Sequence, residues 1–310
     1  MSLSRYFTGF YVSIAVLFER ALRRILSGGA KSVNITAKLL PNYFERKYLF
    51  LVKDMAQKPI TVESPETIWQ FWDNPVGRTT PEIVKASFRT VEKFKGSFEH
   101  KILDNSTVGD YSDLPGYVFD RLKSGHMRYA HFSDLLRLNL LKNHGGVWMD
   151  ATVYMTGLIP ERITNQDFFV FLTGELTSFP YSFVQNCFIR AKIGAFLCEA
   201  WYRMCVEYWK DEARRVTYFQ HQLIFKTLVF KNPTARDLFA KMPHLSEDET
   251  HQFAGNRLIN KFDAEEWERV INSSFFQKTR YMIKRRKVAD AADYPGTYFS
   301  KLCDMGENND

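Results

Sequence analysis

The chain of 310 residues contains no cysteine pair at CxxC spacing, no internal repeat and no low-complexity tract. Its four cysteines (Cys187, Cys198, Cys205 and Cys303) fit neither a zinc ribbon nor a redox motif, and they read as buried thiols of a reducing cytosol. The uncharged segment at residues 6–18 (YFTGFYVSIAVLF) has thirteen residues, short of the roughly 20 that a spanning helix needs. No small-residue cleavage site follows it, as a secretory signal would require; Glu19, Arg20, Arg23 and Arg24 do. Acidic residues are scarce in the first 56 positions, with three (Glu19, Glu45, Asp54) against nine basic ones. The formal charge of +7 therefore sits almost wholly in an N-terminal arm, and the rest of the chain lacks the basic surface of a nucleic-acid binder.

What is present suits a globular protein: 45% hydrophobic, 25% charged and 15% aromatic residues, enough to bury a large core and line a deep pocket. In the arm, Phe7, Tyr11, Ile14, Phe18, Leu22 and Ile25 recur at helical spacing, with Arg20 and Arg23 off that face. A second helix is expected from Pro41 onward through YFERKYLFLVKDMAQ. Two readings of residues 1–58 stand side by side. One is an interfacial anchor on an anionic membrane surface; the other is a helical hairpin packed on the body at 59–310.

After Pro59, TIWQFW (67–72) reads as a strand, PEIVKASFRTVEKFKG (81–96) as a helix and FEHKILD (98–104) as a second strand. That order predicts a βαβ unit in an α/β domain, with ligands beyond the carboxyl ends of the strands, where Trp72 and Asp73 stand. Trp69 reads as core. MRYAHFSDLLRLNLLKNH is a helix that Gly145-Gly146 stops; VWM is a short buried strand ending at Asp150, and ATVYM is expected to continue extended. Ser133, Asp134 and Arg137 share one helical turn directly before a glycine stop and an acid at a strand end. That order separates them from an ordinary surface ion pair. A carboxylate such as Asp150 is a ligand type that hard divalent cations prefer.

The block HFSDLLRLNLLKNHGGVWMDATVY resembles the signature of the capsular polysaccharide synthesis proteins, within the wider glycosyltransferase family 32-like group. TIWQFW, NCFIRA (186–191), EAWYRMCVEYW, YFQHQLIF, QKTRY and GTYFSKL add looser matches, so the resemblance spans about residues 66–303. It implies a GT-A-like, Rossmann-type nucleotide-sugar-binding domain. It further implies a nucleotide-sugar donor (UDP-hexose above all), Mn2+ or Mg2+, retention of configuration, and a saccharide acceptor of bacterial surface polysaccharide. By position, Asp134 and Arg137 would hold the donor sugar, Asp150 would open the DxD-type element, and Trp72, Gln70 and Lys278 would meet the nucleotide. His131, Ser133 and Asn186 are candidates for the donor or acceptor pocket, although a turn or cap is the plainer reading of Asn186.

The DxD-type element departs from its pattern: Asp150-Ala151-Thr152 carries a hydroxyl at the third position. One carboxylate is expected to hold a cation weakly, with the donor diphosphate supplying coordination. Thr152 and His221 are the further candidate ligands, a structural histidine being the plainer reading of His221. Basic residues crowd 277–289, and Lys278 is the chosen phosphate contact. No covalent nucleophile stands out, so retention implies front-face attack with the leaving phosphate as base. A lipid-linked acceptor fits an enzyme lying peripherally on the inner face of the cell membrane. The alternative is a catalytically inactive, membrane-associated scaffold of polysaccharide assembly. A glycosidase is disfavoured because Arg137 would keep Asp134 ionised and make it a poor acid.

Overall fold

The computed structural model describes Ile14, Leu17 and residues 35–174, 183–212, 215–253, 257–283 and 287–305. The amphipathic face expected at residues 7–25 lies outside these, apart from Ile14, which is helical and exposed, as is Leu17. Helix α1 runs over Ile35–Tyr48, so Pro41 lies inside it and not at its first turn. An interior proline costs about 3 kcal/mol. Here the cost is offset by burial of Leu40, Tyr43, Phe44 and Tyr48. Tyr208 takes both Phe44 and Tyr48 edge-on, with ring centroids 6.0 and 5.9 Å away. Lys47 pairs with Asp211 and Glu212, and Lys231 with Glu45. The second helix of the basic arm is thus packed on the body, and part of its charge is used in that contact.

The expected βαβ unit is present. Strand β1 (Thr67–Phe71), helix α2 (Glu82–Phe94) and strand β2 (Glu99–Leu103) follow in order, and β1 pairs with β2 in parallel. Helix α3 (Tyr129–His144) precedes β3 (Gly146–Met149), which pairs in parallel with the other edge of β1. The sheet is completed by the antiparallel strands β6 (Val184–Ala191) and β5 (Phe168–Leu172), in the order β2-β1-β3-β6-β5. This α/β arrangement agrees with the GT-A-like class. Because β6 runs against β3, it begins where β3 ends, and its first residues join the crevice at the carboxyl ends of β1 and β3.

Gly145 and Gly146 make the turn between α3 and β3 with φ of +65° and +94°. A Cβ on Gly146 would stand 2.1 Å from the carbonyl oxygen of Thr67, so the close approach of β3 to β1 needs glycine there. Beyond Met149 the chain does not continue extended. It turns at 150–152, with the Val153 N–H donating to the Asp150 carbonyl (2.9 Å). It then leaves the main sheet as β4 (Val153–Met155), which pairs antiparallel with β7 (Phe276–Lys278). The turn at 150–152 places Asp150 in the wall of the crevice.

Helices α4 (Phe196–Asp211) and α5 (Gln220–Lys231) cover the β6 side. The C-terminal helix α6 (Tyr298–Met305) buries Phe299 and Leu302 with Ile83 and Val84 of α2 in a second apolar cluster. Trp69 is core, as expected, and all four cysteines are buried and form no disulfide among the described residues. Among the described residues no helix is long and apolar enough to cross a membrane.

Candidate active site

A cavity of about 600 Å³ opens at the carboxyl ends of β1 and β3. Its walls carry Trp72, Ser133, Asp134, Arg137, Asp150, Thr152, Asn186 and Lys278, eight of the eleven site residues expected from the sequence. The other three, Gln70, His131 and His221, do not line it.

Arg137 organises the cluster from α3. It is 4% exposed, and Nη2 lies 3.2 Å from Asp134 Oδ1 and 3.4 Å from Asp150 Oδ1. Nε donates to the Ser133 carbonyl (3.0 Å), Nη1 to the Asn186 carbonyl, and the guanidinium lies over the Trp148 ring. Every edge of the fork is therefore held, which a lysine could not reproduce. Asp134 and Arg137 are a buried pair and not a solvated i,i+3 contact. Burial works against ionisation of Asp134, but its cationic and hydrogen-bonding neighbours outweigh it and hold the carboxyl below the usual range.

Asn186 lies within β6, not in a turn or cap. Its Nδ2 donates to Asp134 Oδ1 (2.9 Å) and to His221 Nδ1 (3.1 Å), and the residue lines the cavity. His221 stacks on Trp201 with centroids 4.2 Å apart. Burial is the main reason its pKa falls to about 3, so the ring is neutral at pH 7. Its contacts are with Asp134, Asn186 and Trp201, which makes it a support for Asp134. His131 plays a matching part: Arg215 donates to its Nε2 (3.0 Å), leaving the ring proton on Nδ1, 3.4 Å from Asp134 Oδ2. Gln70 is fully buried, with Nε2 donating to the Asp150 carbonyl (3.2 Å) and Oε1 bonded to His100 Nε2 (2.7 Å). It holds the Asp150 turn and does not line the cavity; strand alternation sets it opposite Phe71, which does, and Trp72 reaches the cavity from past the strand end.

Asp150 receives Trp148 Nε1–H (3.0 Å) and Arg137 on Oδ1, and Lys278 Nζ on Oδ2 (3.3 Å). Burial raises its pKa, but Lys278 and Arg137 more than reverse this, and the carboxyl ends below its ordinary value. Thr152 accepts a hydrogen bond from Lys278 as well. Also in the cavity wall, Trp72 meets Tyr281 edge-on, with centroids 5.1 Å apart. Tyr281 and the exposed Tyr218 are cavity residues that sequence reasoning did not single out. Tyr281 ends the QKTRY match, and that match was the available signal. Lys284, Arg285 and Arg286 of the basic run lie outside the described residues.

A divalent cation at this element would need oxygen ligands. Both Asp150 oxygens and the Thr152 hydroxyl are already taken by protein N–H groups. Among the described residues no group of three or more His, Cys, Asp or Glu could hold a metal ion. The residues present do not fit a resident divalent cation.

The aromatic pair Trp72–Tyr281 and the buried acid–base cluster thus share one α/β crevice. Residues 27–302 match the family described as capsular polysaccharide synthesis protein, and the chain belongs to that family. The match begins within the N-terminal arm. The chain is 22% identical over 192 residues to Glycosyltransferase afumC of Aspergillus fumigatus (strain CBS 144.89 / FGSC A1163 / CEA10), covering 57% of this chain and 49% of that protein. It thus spans about half the length of that curated relative. A solved structure, PaToxG Glycosyltransferase, aligns with a TM-score of 0.40 at 15% identity, covering 78% of this chain and 97% of that one.

Proposed function

We propose that the protein is a glycosyltransferase. It moves a hexose from a nucleotide sugar, UDP-linked in the first instance, to a hydroxyl of a growing surface polysaccharide or its lipid-linked precursor. The observation that carries this reading is the joining in one cavity of the Trp72–Tyr281 wall with the Asp134–Arg137–Asp150–Lys278 cluster. The aromatic wall suits a base, the cations suit a diphosphate, and the acids and the Asn186 amide suit sugar hydroxyls.

In the reaction the bond between the anomeric carbon and the diphosphate oxygen breaks, and its electron pair stays on the diphosphate. The acceptor oxygen bonds to that carbon, and its proton passes to a diphosphate oxygen. Front-face attack of this kind retains configuration. Asp134 and Asp150, both bound to Arg137, are poor covalent nucleophiles, which favours it. Lys278 and Arg137 stabilise the growing charge on the leaving group without rearranging at the moment of reaction.

The N-terminal arm would bring the enzyme to the inner face of the membrane, where a lipid-linked acceptor resides. Thermal shift and donor hydrolysis with a panel of nucleotide sugars test the proposal. A rise in melting temperature and release of nucleotide with one donor support it. Binding of a nucleotide sugar without any transfer or hydrolysis favours the inactive scaffold, and no response to any donor overturns the transferase.

A further inference from the structure

We infer that Lys278 is the resident cation of this site: its ammonium stands between Asp150 and Thr152 and receives the donor diphosphate without a divalent metal. This inference rests on the nucleotide-sugar reading above and goes beyond it in naming what neutralises the leaving group.

Lys278 ends β7, and β7 is held in register against β4, with Lys278 opposite Val153. The next residue, Thr279, donates both its N–H (2.8 Å) and its hydroxyl (2.9 Å) to the Thr152 carbonyl. The backbone on both sides is thereby fixed, and the side chain is directed at the Asp150-Ala151-Thr152 turn. Of the three ammonium N–H groups, one points to Asp150 Oδ2 (3.3 Å) and one to Thr152 Oγ1. The third has no protein acceptor among the described residues, and Lys278 lines the cavity. An ammonium held at two points with one donor facing the cavity is a preorganised contact for a phosphate oxygen.

The hydroxyl at Thr152 suits this role. A second carboxylate there would add negative charge beside the incoming diphosphate and call for further cationic charge. A hydroxyl accepts the lysine N–H and adds no charge. Arg137, on the other oxygen of Asp150, brings a second fixed cation to the same carboxylate, so the acid is matched before any ligand enters.

The test is calorimetric titration of the full chain with UDP and with GDP, each in EDTA and in Mn2+. The proteins are the wild type, Lys278→Met, which keeps the stem and removes the charge, and Lys278→Arg. The expected result is wild-type binding of one nucleotide with equal affinity in EDTA and Mn2+. Lys278→Met should weaken it about 10- to 100-fold in EDTA, the worth of a charge-assisted hydrogen bond, and Lys278→Arg should restore part of it. Circular dichroism checks that the variants fold. Wild-type binding that requires Mn2+ overturns the inference, whatever the variants do. Metal-free binding that Lys278→Met leaves unchanged overturns the assignment to Lys278. Failure of the wild type to bind either nucleotide in both conditions, with a wider nucleoside diphosphate panel equally silent, removes the nucleotide-sugar reading itself.

Discussion

Arg137 and Asp150 meet at 3.4 Å, Nη2 to Oδ1, across the turn that joins the helix of one to the strand end of the other. The same nitrogen lies 3.2 Å from Asp134. One buried guanidinium therefore keeps two acids ionised in a cavity wall, and the acids fix the orientation of the guanidinium. Neither half of this arrangement is stable in a buried site without the other.

Arg137→Ala should leave two buried carboxylates facing each other without their shared cation. Breaking a buried pair from one side costs about 3–5 kcal/mol. Urea unfolding should show a loss of that order, and Arg137→Lys should recover little, because a point charge cannot span both acids and the Asn186 carbonyl. Stability within 1 kcal/mol of wild type, on the order of a surface substitution, would falsify the buried bridge.

Asp150→Asn is expected to act on chemistry more than on folding. The amide keeps the shape, and Arg137 keeps Asp134 as partner, while Lys278 loses its anchor. Turnover with the donor that the nucleotide-sugar panel selects should drop by about 100-fold or more, the scale of removing one preorganised electrostatic contact. Circular dichroism should be unchanged. Near-native turnover in this variant would remove Asp150 from the reaction centre.

Trp72→Ala should weaken nucleotide binding by about 1–2 kcal/mol, roughly 5- to 30-fold, from the lost ring surface. Trp72→Phe should recover most of it, and affinity for the sugar alone should not change. Equal affinity of the alanine variant and the wild type for nucleotide would place the base elsewhere in the cavity.

Glu247 makes a pH-dependent stability prediction away from the reacting groups. It is fully buried and accepts the Gly174 N–H (3.0 Å), and burial pushes its pKa up to about 7. Between its ordinary value of 4.5 and about 7, the native state keeps a proton that the unfolded state has released. Stability therefore falls as pH rises through that window. Glu247→Gln removes the ionisation, so the variant should gain melting temperature relative to wild type from pH 5 toward pH 8. A difference that stays flat across that range would contradict the raised pKa.

Much of the site was legible in the sequence because its central block is local. Helical periodicity, a glycine stop and an acid at a short strand end placed Asp134, Arg137 and Asp150 in one neighbourhood, and the observed α3–turn–β3 segment does so. Sequence alone also determined the βαβ unit, because each of its elements is marked by short-range signals: alternation, a proline start and a glycine end. Tertiary structure alone decided the rest. Pro41 was read as a helix start, yet packing against α4 and α5 carries α1 back to Ile35. Asn186 looked like a turn residue, yet an antiparallel strand brings it to Asp134. Gln70 and His131 were expected in the cavity, but they face its supports, since the side of a strand or helix that meets ligand depends on what packs behind it. The placement of Lys278 against Thr152 depends on the β4–β7 ladder, a pairing between distant segments that no local pattern encodes. Local physics set the elements and the order of the acids; long-range packing set which side chains share the cavity.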